Sequence, residues 1–176
     1  YAQDLLAQGY RFGFIGGTDC HTSLTFCRPL ESEAHRAMPG LTAVFTDRNS
    51  RGHIFDAIKA RRCFAACGER NILEVTCGGL EMGRAGKLPE SGEVAIAGSF
   101  AAENELVSIE VVRNNVVVHT ENPQGWTGAM EWTDTTPRDA EPIRDFESGE
   151  DTVFYYVRLT TNTGARAWSS PCWFAL

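Results

Sequence analysis

Apolar residues follow two rhythms along this chain, and the change between them falls near residues 68–72. Up to that point, helical and extended patterns alternate. In "YAQDLLAQGY" (1–10), Ala2, Leu5 and Leu6 share one helical face, and Gly9 supplies the stop. "RFGFIGG" (11–17) runs apolar without strict alternation, which predicts a short strand buried on both faces. Residues 22–40 carry Pro29, Pro39 and Gly40 without a period and read as a long loop. "LTAVFT" (41–46) predicts a strand. A helix over "RGHIFDAIKARR" follows, capped by Asn49 or Ser50, with Ile54, Phe55, Ile58 and the Lys59 stem at helical spacing. "CFAAC" (63–67) predicts a third strand, stopped by Gly68.

Beyond residue 72 the rhythm is that of strands and turns. "ILEVTC" (72–77) and "EVAIAGSFAA" (93–102) alternate, with "GGLEMG" as turn chemistry between them. "LVSIEVVRNNVVVHTE" (106–121) predicts a hairpin, because Asn114 and Asn115 tolerate the left-handed backbone its tip requires. "AMEWTD" (129–134) is a weaker strand, and 135–151 reads as a charged, Pro-containing loop. "TVFYYVRLTT" (152–161), "NTG" and "ARAWSSPCWFAL" (165–176) predict a closing hairpin. The expected fold class is α+β and β-rich. An alternating helix–strand portion over 1–70, which the family resemblance described below implies is a partial (β/α) barrel remnant, is followed by an immunoglobulin-like β-sandwich over 71–176.

Composition narrows the classes of function. The chain has 176 residues, 43% hydrophobic and 22% charged, which suits a globular protein. At that length about 70% of the unfolded surface can be buried, so neither disulfide nor metal is needed to hold a core. A net charge of −7 disfavours nucleic acid and anionic membranes as partners. It still allows a small phosphorylated ligand at a local positive site. No apolar run reaches the roughly 18–20 residues of a membrane-spanning helix. Cysteines at 20, 27, 63, 67, 77 and 172 form no C-x-x-C pair, which argues against a zinc knuckle and for reduced thiols in a cytoplasmic protein. The first residue is Tyr1 rather than Met, inside a predicted helix, so a longer parent polypeptide is expected.

The stretch "GFIGGTDCHT" (13–22) carries the most chemistry. Asp19 and His21 follow the end of a predicted strand, where ligands collect in α/β folds. Gly16 and Gly17 permit the break that would let both side chains enter one pocket. A carboxylate and an imidazole together suit hard or borderline divalent metals. The same residues also fit a polar turn after a strand, with Asp19 capping and His21 packed.

"FGFIGGTDCH", then "GLTAVFT", "IFDAIKARRCFAACGER", "GLEMG" and the closing "ARAWSSPCWF" together resemble the C-terminal part of PHP-superfamily proteins. That superfamily takes its name from polymerase and histidinol phosphatase, and the resemblance is to its bacterial branch with an appended β-domain. There a GG-S/T-D-x-H segment ends a barrel strand, and a helix leaves through R-R-x-Y/F-A-T-x-G. The resemblance implies a distorted barrel with a multi-metal centre hydrolysing phosphoesters, with Asp19 and His21 as the last metal ligands. It further implies zinc, manganese or iron in the intact protein and a phosphorylated small-molecule substrate. Here the exit reads "AACG" (65–68), and the four histidines (21, 35, 53 and 119) form no H-x-H. A catalytic zinc-type site needs at least three protein ligands, so the chain alone is expected to be inactive, with a metal-free chain as the alternative to partial binding.

Other polar residues have simpler expectations. His35 lies in the long loop, His53 in the first turn of the second helix, and His119 on a strand. Arg61, Arg62 and Arg70 either complement the helix C-terminus or contact phosphate, with Arg62 and Arg70 the substrate-binding candidates. Trp126, Trp132, Trp168 and Trp173 are spread through the β half, where strand packing is the default role. The alternative to the hydrolase is a binding or scaffolding module whose sandwich mediates contacts. Either reading expects self-association, or association with the missing barrel half, to cover exposed strand edges.

Overall fold

The computed structural model describes residues 1–18 and 40–176. Two short helices, α1 (Ala2–Ala7) and α2 (Arg51–Lys59), accompany thirteen strands. These are β1 (Gly40–Val44), β2 (Cys63–Cys67), β3 (Ile72–Cys77), β4 (Leu80–Glu81), β5 (Ala85–Lys87), β6 (Val94–Ala101) and β7 (Leu106–Arg113). The remainder are β8 (Val116–Glu121), β9 (Thr127–Asp134), β10 (Ile143–Arg144), β11 (Asp151–Thr161), β12 (Arg166–Ser169) and β13 (Cys172–Ala175).

β11 organises the larger, nine-stranded sheet. One of its edges pairs with β13 and then β12, and the other with β10 and then β7. β12 continues to β2 and β1, β7 to β8, and β13 to β5. The smaller sheet runs β4-β3-β6-β9. All pairings are antiparallel except β13 with β5. The sheets face each other across one core, in which Leu73, Val75, Ile96, Phe100 and Met130 meet Val111, Val153, Tyr155, Val157, Leu159 and Phe174.

This architecture corrects the expected α+β class with its barrel remnant, while the β-rich part of that expectation stands. A helix between two strands suggested a crossover that would return the chain to start a parallel strand. Instead β2 runs antiparallel to β1, with Leu41 opposite Ala66 and Val44 opposite Cys63. The reversal is local: after α2, Arg61 adopts φ +60, and Phe45 N–H donates to Arg62 C=O at 2.9 Å. α2 therefore sits across one end of the pair rather than along the sheet. It buries only Ala57 and leaves Phe55 63% and Ile58 40% exposed.

Strand β2 also pairs with β12, with Trp168 opposite Ala65, so residues before and after 70 share one sheet. The second correction concerns residues 11–17, which are extended but belong to neither sheet. They lie with α1 over the outer face of the large sheet. There Leu6, Val112, Phe154, Tyr156 and Trp173 form a second buried cluster, edged by Phe12 and Phe14.

Candidate functional site

The outer face of the large sheet carries a groove of about 680 Å³. Strand pairing puts its side chains in rows, since directly opposed residues of a sheet share a face. One row reads Thr42, Ala65, Trp168, Arg158, Glu110, and the next Gly40, Cys67, Arg166, Thr160, Ser108. Arg158 and Arg166 are diagonal neighbours, roughly 7–8 Å apart at their backbones. Arg158 Nε donates to Glu110 Oε2 at 2.7 Å, and this bond raises the affinity of the guanidinium for its proton against the opposing effect of burial. Arg166 is exposed.

Aromatic rings form the adjoining wall. Phe14 meets Tyr156 edge to face at 5.4 Å between centroids, and Phe12 lies 5.9 Å from Phe14. Gln3 Nε2 donates to Tyr156 Oη at 3.3 Å, which ties α1 to the same wall. Cationic and apolar surfaces thus adjoin, an arrangement that can hold an anion attached to a flat or apolar group.

Residues 11–17 form the rim, and their path is fixed at two points. Phe14 N–H donates to Ser170 Oγ at 2.9 Å, and that buried hydroxyl donates to Cys63 C=O at 2.6 Å. Gly16 N–H donates to Thr42 Oγ1 at 3.1 Å while Thr42 Oγ1 donates back to Gly16 C=O at 2.7 Å. The glycines are required by proximity: a Cβ on Gly16 would stand 2.6 Å from Leu41 O, and one on Gly40 would stand 2.5 Å from Gly17 O. The chain on either side of residues 18–39 is therefore in backbone contact at the groove's edge.

Asp19, His21 and His35 lie outside the described residues. Among the described residues, no group of three or more His, Cys, Asp or Glu side chains is placed to hold a metal. Arg62 and Arg70 are not brought together, because they flank opposite ends of β2. Arg62 Nε lies 3.4 Å from Glu81 Oε2, beside a cavity of about 70 Å³ that Phe45 and Met82 also line. Arg70 is exposed beyond the other end of the strand. Arg61 Nε donates to Gly83 C=O at 2.8 Å, and its guanidinium lies 5.5 Å from the Trp173 ring.

His53 stays in the first turn of α2, with Nδ1 2.7 Å from the capping Ser50 Oγ. His119 stacks on Trp132 at 4.9 Å and reaches Glu121 Oε1 at 3.1 Å. Neither histidine borders the groove.

The groove's own residues, Phe14, Tyr156, Arg158 and Arg166, were not singled out by the sequence. The available signal was the even positions of "TVFYYVRLTT", which pass from Phe154 and Tyr156 to Arg158 while the odd positions remain apolar.

A family model described as "Protein of unknown function (DUF3604)" matches residues 27–99. An uncharacterized protein of Chlamydia trachomatis serovar D is 34% identical over 175 residues, covering 97% of this chain and 28% of the relative. Uncharacterized proteins of Chlamydia muridarum and Chlamydia pneumoniae are 34% and 32% identical, with the same coverage. The chain thus spans 28% of the length of these curated relatives. No solved structure matches. Nothing in these matches points to the PHP superfamily, and they overturn that assignment: the family matched is one of unknown function. The motifs behind it are short Gly, Arg and Asp-x-His patterns, and such patterns recur outside any single family.

Proposed function

We propose that this chain is one part of a longer metal-dependent hydrolase acting on phosphoesters, with Asp19 and His21 among its metal ligands. The observation that carries the reading is the backbone contact between Gly17 and Gly40, which fixes where the chain leaves for Asp19, at the edge of a groove bearing Arg158 and Arg166. A carboxylate and an imidazole one residue apart supply donors that zinc, manganese or iron accept. Bound metal would activate a water and offset phosphate charge. The arginines would hold a non-reacting anionic oxygen, and the aromatic wall would pack the ester's apolar group. The curated relatives are more than three times the length of the matched region, which leaves room for further ligands elsewhere. Cys63, Cys67, Cys77 and Cys172 are free thiols, in keeping with a reducing, cytoplasmic setting. No helix among the described residues is long and apolar enough to cross a membrane.

The test is metal binding by the whole chain. Zinc or manganese should bind weakly, wash out on dialysis against a chelator, and bind no longer after Asp19→Ala with His21→Ala. Stoichiometric metal that survives dialysis would contradict the shared site, and binding unaffected by the double substitution would remove these residues from it. The full-length Chlamydia trachomatis relative should hydrolyse p-nitrophenyl phosphate in a chelator-sensitive manner.

The second reading is a non-catalytic binding module, and the aromatic wall beside exposed Arg166 is the feature that favours it. On that reading, phenyl phosphate binds the chain without metal, and the full-length relative has no hydrolytic activity.

A further inference from the structure

Where β3 ends, the chain crosses from the smaller sheet to the larger one over a pair of cysteines. β3 finishes at Cys77, turns through Gly78 and Gly79 (φ +53 and +78), and returns as β4 with Leu80 opposite Cys77. Past Gly83 it joins the larger sheet as β5, whose Ala85 lies opposite Trp173 of β13. Gly83 N–H donates to Pro171 C=O and Trp173 N–H to Arg84 C=O, both at 3.0 Å, which holds the crossing against the start of β13.

Cys77 is the last inward-facing residue of β3 and Cys172 the first residue of β13, each 1% exposed in the main core. Their side chains are hydrogen-bonded to each other from the two sheets. Cys172 Sγ also lies 3.3 Å from Glu81 C=O and 3.9 Å from Leu80 C=O, so this sulfur sits beneath the β3–β4 hairpin. Two residues along β13, Phe174 packs so near that a Cβ on Gly78 would stand 2.9 Å from its ring. The two strands therefore approach closely at this end. Burial and the Cys172 thiol push the Cys77 thiol up, which keeps it as S–H in the closed core. Cys63 and Cys67 cannot pair with each other in this way. Four residues of strand put them about 13 Å apart, and a disulfide spans at most about 7 Å between Cα atoms.

We propose that Cys77 and Cys172 form a redox site, joined as a disulfide between the two sheets by exchange with a low-molecular-weight disulfide of the glutathione type. One protein thiol loses its proton and attacks the small disulfide, releasing one small thiol. The second protein sulfur then displaces the other small thiol and completes the bond. Two protein S–H groups give up two electrons and two protons, and the small disulfide takes them up as two thiols. The S–S bond of about 2.05 Å is reached from hydrogen-bond contact by turning the two side chains with a small backbone shift. Access is through β4, two residues long at the edge of its sheet, whose opening uncovers Cys172. The bond closes a loop of about 95 residues, so it stabilises the folded chain mainly by restricting the unfolded one. It involves neither Asp19 and His21 nor the groove.

The test refolds the reduced, urea-unfolded whole chain in a buffer of oxidised and reduced glutathione, so that burial does not limit access. Remaining thiols are blocked with N-ethylmaleimide and the digest is mapped by mass. One linked peptide pair should appear, joining Cys77 to Cys172 with the loss of two hydrogens, and neither residue should carry the blocking group. The unfolding midpoint should rise by about 5–10 °C over the reduced chain and fall back with dithiothreitol. Cys77→Ala and Cys172→Ala should each abolish the rise, and if either variant does not fold, the map of the unsubstituted chain decides. The proposal fails if both residues are blocked in full, or if either is linked to another cysteine or to glutathione instead. A Cys77–Cys172 bond that lowers the midpoint also overturns it, since the native strands would then be too far apart to bear the link.

Discussion

The two faces of the nine-stranded sheet are made by the same strands, often by adjacent residues, yet they have different chemistry. On β11, Val153, Tyr155, Val157 and Leu159 point into the sandwich and are buried along their whole row. On the opposite face, Phe154 and Tyr156 are buried beneath α1 and residues 11–17, and then the row turns to Arg158 and the groove begins. The inner face is a uniform apolar core whose contribution scales with area. The outer face is apolar only as far as the N-terminal segment covers it. A strand flanked this way carries stability in one set of positions and, on the function proposed above, recognition in the other.

Substitutions on the two faces should separate accordingly. Leu159→Ala on the inner face should destabilise by about 3 kcal/mol in urea titration, since the cavity lies where two rigid sheets cannot close over it. A loss under about 1 kcal/mol would mean that the inner face is less tightly packed than described.

Asp134 comes next, because it ties β9 to the large sheet. Its Oδ2 accepts from Tyr155 Oη and Arg113 Nη1, both at 2.7 Å, and its Oδ1 accepts from Thr136 N–H at 2.9 Å. Burial opposes its ionisation, but the bonds from Tyr155, Thr136 and Arg113 outweigh it and hold the carboxyl below its usual range. Burial and the Asp134 carboxylate push the Tyr155 hydroxyl up. Asp134→Asn should cost about 2 kcal/mol at pH 7. Because the folded-state pKa is depressed, that contribution is complete above the ordinary carboxylate pKa of about 4 and is lost as pH falls through the lower folded value. The stability difference between wild type and variant should therefore narrow below about pH 4, as read by unfolding midpoints from pH 7 downward.

On the outer face Phe14→Ala should cost less, about 1 kcal/mol, because the ring is only partly buried, but it should raise protease cleavage between residues 10 and 18. Arg166→Ala, on the open part of the face, should change stability by no more than about 0.5 kcal/mol. It should nonetheless weaken phenyl phosphate binding in equilibrium titration. If it destabilises as much as Phe14→Ala, the division between supporting and recognising positions is wrong.

Elements set by neighbouring residues were legible in the sequence. "CFAAC" is β2 and "ILEVTC" is β3 at the residues expected, Ser50 caps α2, and Asn114 and Asn115 have φ of +46 and +66 at the hairpin tip. What escaped depended on distant partners. Nothing near residues 40–67 reveals that β2 will meet β12 a hundred residues later, and the βαβ-like pattern then suggested a parallel sheet. Residues 11–17 carry the apolar run of a buried strand because Phe12 and Phe14 edge the cluster around Tyr156, while their backbone pairs with no ladder. β5 is three residues long with Gly86 at its centre, too little pattern to read. Of the candidate site, the sequence offered Asp19 and His21 from local motif chemistry. The groove needed side chains from four strands in register.

The contact between Gly17 and Gly40 also bears on how such a protein can change over generations. With the two ends clasped side by side, the entropy of closing the chain between them grows only slowly with its length. Doubling that length would cost only about 0.6 kcal/mol in closure entropy. On closure entropy alone, changes of length between Gly17 and Gly40 are therefore cheap. A methyl group at Gly40 would end that freedom by unfastening the clasp.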